Sequence, residues 1–212
     1  MYPNSKTRIQ KEYQELQKSK DMVIIMIGED LFHWKGTING PSDTPYDGGK
    51  FTIDVKIPPN YPYHPPTMKF DTRIWHPNMS SQTGAICLDI LKNEWSPALS
   101  IRTALLSIQA LMCVPEPNDP QDAVVASQYK ENIALFNKTA KEWTMTYANP
   151  DSVEKNKISK LLEMGFDKKL LALRWRKTDG MKMLLLILYC AKRFRVYPKS
   201  LFVRFIVCQR NF

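Results

Sequence analysis

Five prolines fall within nine residues, Pro58-Pro59-Asn60-Tyr61-Pro62-Tyr63-His64-Pro65-Pro66, and no regular element survives such a run. Each proline lacks an N–H donor and fixes its own φ, so the segment can be neither a helix interior nor a central strand. It reads as a rigid surface loop. On its N-terminal side Phe51, Ile53, Val55 and Ile57 alternate with Thr52, Asp54 and Lys56, the period of a half-buried strand. Phe32, Trp34, Gly36 and Ile38 alternate in the same way with His33, Lys35 and Thr37, and Met22 to Ile27 is an apolar run of strand length that stops at Gly28. The turn-forming residues from Asn39 to Gly49 separate two of these strands. Beyond the prolines, Thr67 to Phe70 resumes as a short strand. Paired in chain order, the four make an antiparallel meander.

Helices flank that meander. Ser5 to Lys20 carries Ile9, Tyr13 and Leu16 on one face and charged or amide residues elsewhere, an amphipathic pattern with Asn4 or Ser5 as its N-cap. Ile101 to Met112 places Ile101, Leu105, Ile108 and Leu111 at helical spacing and predicts a core helix. Pro115, Pro117 and Pro120 then break the chain, and two further helices are predicted over 121–130 and 133–147. The fold class is therefore α+β.

Thiol chemistry is the next constraint. The cysteines at 87, 113, 190 and 208 form no CxxC pair, and the histidines at 33, 64 and 76 do not cluster with them. Reduced thiols in an intracellular setting without a bound metal are expected. Cys87 stands eleven positions after the histidine of His76-Pro77-Asn78, with Gly84 in the intervening loop and Trp95-Ser96-Pro97-Ala98 beyond it. A thiol with a side-chain amide nearby suits acyl transfer: sulfur attacks a carbonyl carbon, and the amide N–H can hold the oxygen that turns negative. An isolated cysteine otherwise reads as a small buried hydrophobe, and Cys113, on the apolar face of the core helix, takes that reading. A thiol protease would need a histidine base paired with Cys87, and no such pairing is evident.

Charge divides the chain unevenly. The net charge is +9, yet residues 1–167 hold 18 basic against 20 acidic residues, while residues 168–212 hold 12 basic residues and one acid, Asp179. The basicity belongs to the C-terminal segment alone, so the core is not a nucleic-acid binder on grounds of charge. The apolar stretch Met183 to Ala191 has nine residues, and a bilayer span takes about 20. No transmembrane segment is expected. Met-Tyr-Pro-Asn-Ser-Lys lacks the apolar core of a secretory signal.

Six landmarks then occur in order: Gly40-Pro41 with Thr44-Pro45-Tyr46 and Gly48-Gly49; Tyr61-Pro62-Tyr63 with Pro65-Pro66; His76-Pro77-Asn78; Gly84-Ala85-Ile86-Cys87-Leu88-Asp89-Ile90-Leu91; Trp95-Ser96-Pro97-Ala98; and Glu116-Pro117-Asn118-Asp119-Pro120. Residues 1–148 resemble the catalytic core of ubiquitin-conjugating enzymes along their whole length. The segments 80–87 and 120–126 look most like the huntingtin-interacting type, which carries a C-terminal ubiquitin-associated (UBA) domain. The resemblance implies a linker over 149–153 and a three-helix UBA-like domain over 154–190. Lys157 to Asp167 fits its first helix and loop, although the spacing from Phe166 to Ala172-Leu173 is shorter than the family's.

The resemblance also implies roles. Cys87 would take ubiquitin as a thioester from the activating enzyme and lose it to a lysine of a substrate protein or of ubiquitin. Asn78 would donate to the oxyanion, Asp119 would orient or deprotonate the incoming amine with Asp89 assisting, and His76 would brace the loop. Pro62, Tyr63, Ser96, Pro97 and Ala98 would meet RING-type ligases. Lys6, Arg8 and Lys11 would meet the activating enzyme, and Met164, Gly165 and Phe166 would contact ubiquitin. No cofactor is expected on this chain, ATP being used upstream by the activating enzyme, and the expected location is cytoplasm and nucleus. Three other readings remain open: transfer of a different ubiquitin-like modifier, a variant that only binds ubiquitin, and, for the basic-aromatic tail 191–212, either a membrane- or nucleic-acid-binding extension or a mistaken reading frame after Asp167.

Overall fold

The computed structural model describes residues 5–19, 21–152 and 163. The chain divides into two units, Met1–Asn156 and Lys157–Phe212. The expected UBA-like domain, its Met164-Gly165-Phe166 loop and the tail lie outside the described residues.

The first unit is the α+β arrangement that the alternation predicts. Helix α1 (Ser5–Gln17) is followed by strands β1 (Met22–Ile27), β2 (Asp30–Asn39), β3 (Lys50–Lys56) and β4 (Thr67–Phe70), paired antiparallel in that order. Then come α2 (Ile101–Cys113), α3 (Ala123–Glu131) and α4 (Ile133–Trp143), the last running into a π-type turn, Thr144–Ala148. Each of the later helices begins at a residue whose side chain accepts from a first-turn amide, which satisfies an otherwise orphaned donor. Ser100 accepts from Thr103, Asp122 from Val125, and Asn132 from Leu135.

One face of the meander packs on α1 and α2. Trp34, Ile38, Phe51, Ile53 and Val55 meet Ile9, Leu16, Leu105 and Ile108 in a single buried core. Strand β1 lies at the sheet edge, and its apolar run is not buried throughout: Met22 and Ile24 point inward while Val23 and Ile25 are exposed. Asp54 departs from the alternation on β3. It is buried, and it accepts from Lys35 at 2.6 Å and pairs with His33 at 2.7 Å across the β2 register.

The proline loop is fixed from below by one carboxylate. Glu12 is buried on α1, where it accepts from the Tyr61 hydroxyl (2.8 Å), the Arg8 Nε (2.7 Å) and the Ile101 backbone N–H that opens α2 (2.9 Å). Burial first, and the Glu12 carboxylate second, push the Tyr61 hydroxyl well above its ordinary pKa, so it stays a neutral donor. The Arg8 guanidinium continues the network to the carbonyls of Pro97 (3.1 Å) and Leu99 (2.8 Å). Arg8 is thus directed inward to the loop before α2. The other two basic residues expected to meet the activating enzyme, Lys6 and Lys11, are exposed on α1.

Cys113 also departs from expectation. It is the last residue of α2 and lies off the buried stripe of Ile101, Leu105, Ile108 and Met112, so it is exposed rather than buried.

Candidate active site

The stretch from β4 to α2 is irregular because its backbone polar groups pair with loops in place of a ladder. Phe70 N–H donates to Gly84 O at 2.8 Å, Ser80 N–H to Ala85 O at 2.8 Å, and Cys87 N–H to Asn78 O at 2.9 Å. Gly84 is required at its position. Its φ is +74°, and a Cβ there would stand 1.9 Å from Phe70 O. These bonds fold the chain back so that Cys87 lies beside the His76-Pro77-Asn78 tripeptide.

His76 is fully buried, with Nε2 3.0 Å from Leu111 O and Nδ1 accepting from the Asn78 N–H at 3.1 Å. Nε2 therefore carries the proton and the ring is neutral. Burial lowers its pKa from 6.5 to about 4, against the opposing pull of the Leu111 carbonyl. It joins the tripeptide to α2 and stands as a structural brace. The unfolded chain takes up a proton near pH 6.5 that the folded chain refuses until about pH 4. Stability is therefore retained above that window and lost as pH falls through it, by roughly 3 kcal/mol for this group. Urea unfolding at pH 7 and at pH 4.5 checks this: His76→Gln should lose less stability on acidification than the parent chain, and an equal loss would contradict it.

The Asn78 side chain is buried and fully engaged. Its amide donates to Glu116 O (2.8 Å) and Asp119 O (2.9 Å), and its oxygen accepts from Glu116 N–H (2.9 Å). Both hydrogens expected to await an oxyanion are held by the loop Glu116–Asp119. What they achieve there is placement of Asp119, whose Oδ2 lies 3.4 Å from Cys87 Sγ. The same loop is fastened twice more, through Gln121 and Asp122 N–H groups donating to Pro77 O.

Asp122, and not Asp119, caps α3, and it accepts from the Ser81 hydroxyl (2.7 Å) and amide (3.0 Å) as well. Burial alone would raise the Asp122 carboxyl; the bonds from Ser81 and from the first amides of α3 outweigh it and hold the pKa below its ordinary value. Ser81 and Asp122 were not among the site residues read from sequence, and the Ser-to-Asp spacing of 41 residues offered no local signal.

Cys87 itself is half-buried, its sulfur open to the surface between Asp119 and Lys92. Asp89 is exposed and opens a short 3-10 turn, Asp89–Leu91, directly after the cysteine. The turn brings Lys92 Nζ to 3.1 Å from Cys87 Sγ. No metal-binding group of three or more His, Cys, Asp or Glu occurs among the described residues, and no described helix is long and apolar enough to cross a membrane.

Behind the site, the two expected ligase loops come together. Trp95 Nε1 donates to Pro62 O at 2.7 Å, and the Tyr61 and Trp95 rings lie 5.9 Å apart. Tyr63 is 61% exposed beside them, and Ser96, Pro97 and Ala98 are exposed on the second loop, which Arg8 holds from beneath.

Residues 8–144 match the family described as Ubiquitin-conjugating enzyme. The chain belongs to the ubiquitin-conjugating enzyme family. It is 54% identical over 163 residues to ubiquitin-conjugating enzyme E2 27 of Arabidopsis thaliana, covering 76% of this chain and 84% of that protein. It is 48% identical over 171 residues to human ubiquitin-conjugating enzyme E2 K, again covering 76% and 84%. Among solved structures it resembles the E2 domain of a Toxoplasma gondii ubiquitin-conjugating enzyme, with 60% identity and a TM-score of 0.65, covering 67% of this chain and 97% of that one. The chain is a transferase of this family, whose members work with ubiquitin, an activating enzyme and ligases.

Proposed function

We propose that Cys87 accepts the C-terminal carboxyl of ubiquitin as a thioester from the activating enzyme and passes it to a lysine of a substrate protein or of another ubiquitin. The observation that carries this assignment is the sulfur itself, open to solvent with a carboxylate 3.4 Å away. A lysine amine with a bulk pKa of about 10 is almost wholly protonated at neutral pH, so a carboxylate that orients it and takes its proton is needed there. Asp119 has that role in this reading, with the exposed Asp89 on the same side. ATP is spent before this step, and the chain needs no cofactor of its own.

Asn78 acts first as the brace of the Asp119 loop. Donation to the oxyanion requires it to release Glu116 O or Asp119 O as the tetrahedral intermediate forms. Single-turnover discharge of the loaded chain to free lysine separates the two contributions. Asp119→Ala should still load and should discharge about 100-fold more slowly, with a pH–rate profile shifted upward. Asn78→Ala should slow discharge to a similar degree. If bracing is its main contribution, the double variant is no slower than Asp119→Ala; multiplied effects would instead assign Asn78 to the oxyanion. Unchanged discharge in either single variant would overturn that residue's role.

RING-type ligases would grip Pro62, Tyr63, Ser96, Pro97 and Ala98, since two loops tied through Trp95 present a rigid aromatic and proline surface of the kind that suits a small transient interface. Lys6 and Lys11 would face the activating enzyme. Residues 154–190 would form a UBA-like domain that holds ubiquitin through Met164, Gly165 and Phe166, in an enzyme of the cytoplasm and nucleus.

A further inference from the structure

Asp122 does more than a helix cap requires. Its Oδ1 accepts from the Val125 N–H at 3.3 Å, which is the capping bond of α3. Its Oδ2 is given to Ser81, 2.7 Å from the hydroxyl and 3.0 Å from the backbone N–H. The hydroxyl bond is charge-assisted, a class about twice as strong as a neutral one. Ser81 is buried, so bulk water does not compete freely for either bond.

These bonds join two halves of the site. Ser81 lies in the loop 80–85, which is closed by Ser80 N–H on Ala85 O and Gly84 N–H on Ser80 O, and which leads two residues later to Cys87. Asp122 ends the segment that carries Asp119, and Pro120 stiffens the chain between them by fixing its own φ. Asn78 and the Pro77 carbonyl hold that segment to the His76-Pro77-Asn78 tripeptide. The Asp122 carboxylate adds a link to the loop that leads to the sulfur.

We propose that Asp122 is a positioning residue for the transfer: by clamping Ser81 it fixes the separation between the Asp119 carboxylate and the Cys87 sulfur. The inference rests on the role given to Asp119 above. Asp119 Oδ2 stands 3.4 Å from Sγ, and a shift of about 1 Å between reacting groups can cost about 100-fold in rate. The Asp122 oxygens are taken up by Ser81 and α3, so its effect on the incoming amine passes through Asp119. Burial alone would raise its pKa, but the bonds from Ser81 and α3 hold it below the ordinary value. The clamp is therefore ionised throughout the neutral range.

Asp122→Ser separates the clamp from the cap. Serine caps a helix about as well as aspartate, but its one hydroxyl does not span both α3 and Ser81. The full chain is loaded with activating enzyme, ATP and ubiquitin, activation is quenched, and discharge to free lysine is followed in a single turnover. Asp122→Ser should load to the parent extent, which shows that the fold persists, and should discharge about tenfold more slowly. In an Asp119→Ala background the same change should cost less than about twofold, because the group it positions is gone. Ser81→Ala leaves the cap in place and should discharge about threefold more slowly, while Ser81→Thr, which keeps the hydroxyl, should restore most of the rate.

Parent-rate discharge in both Asp122→Ser and Ser81→Ala would reduce Asp122 to a cap and overturn the inference. So would a tenfold loss that persists undiminished in the Asp119→Ala background, since Asp122 would then support the fold at large. If Asp122→Ser loads poorly, Ser81→Ala and its double variant with Asp119→Ala decide by the same comparison. Asp119→Ala discharging at the parent rate overturns the role of Asp119, and the inference with it.

Discussion

Cys87→Ser is expected to abolish the thiol-labile ubiquitin adduct and to reduce lysine transfer below about a thousandth of the parent rate. Serine offers a hydroxyl of far higher pKa at the same place, so any adduct it forms is an oxygen ester, resistant to thiol and cleaved by mild base. Cys113→Ser should leave both loading and transfer as they are. Cys113 is exposed, so access to solvent does not distinguish the two thiols. What distinguishes them is company: Cys87 has Asp119 within 3.4 Å and the braced tripeptide beneath it, whereas among the described residues Cys113 Sγ bonds to the Gln109 carbonyl of its own helix, at 3.5 Å. Gel analysis of the four combinations, with and without thiol, checks the prediction; loss of the labile band in Cys113→Ser would move the reaction to the wrong sulfur.

Glu12→Ala is expected to produce the largest loss of stability, about 3–5 kcal/mol by urea unfolding. The carboxylate is buried and satisfies three donors from three separate segments: Arg8 on α1, Tyr61 in the proline loop, and Ile101 at the start of α2. Its removal leaves a buried hydroxyl and a buried amide without partners and takes one bond from the Arg8 guanidinium, which keeps the Pro97 and Leu99 carbonyls, so the cost is dominated by groups left behind. Glu12→Gln should recover part of the loss, because the amide oxygen still accepts while its NH2 faces donors. The proline loop and the loop at Pro97 both hang from this point. In Glu12→Ala, ligase-stimulated discharge should therefore suffer more than discharge to free lysine. A change below about 1 kcal/mol would mean the network is a surface ornament.

Strands β2 and β3 were legible in the sequence because burial on one face imposes a period of two, whereas β1 was marked by the length of its apolar run and its stop at Gly28, and β4 by the proline loop before it. Helix α2 was legible for the corresponding reason at a period near 3.6. The polar connections were not. Glu12 lies three residues after Ile9 and four before Leu16, on the apolar stripe itself; that position was the available signal of a buried carboxylate, but its partners Tyr61 and Ile101 are 49 and 89 residues away. Arg8 was read only as a partner-facing residue for the same reason, its carbonyl partners at Pro97 and Leu99 being 89 and 91 residues away. Asp54 obeyed the alternation in sequence and broke it in space, because the Lys35 ammonium and a hydrogen bond from the His33 ring on the neighbouring strand let it be buried. Cys113 was misplaced by its neighbours: one residue past the buried Met112, it lies about 100° round the helix from that stripe and is exposed.

At the site, the residue types and order marked Cys87, Asn78, His76 and Asp119, but not which of them touch. Only the folded loops show that the Asn78 amide holds the Asp119 backbone, that His76 is a neutral brace, and that the turn after Cys87 returns Lys92 to the sulfur. Each of these depends on backbone carbonyls whose direction no side-chain pattern encodes.

Intact-mass analysis of the chain, freshly incubated with activating enzyme, ATP and ubiquitin at neutral pH, bears most directly on the role of Cys87. One added ubiquitin per chain, released entirely by thiol and mapped to the peptide containing Cys87, is the predicted result. A freshly formed adduct that survives thiol, or that maps to Cys113, would contradict it.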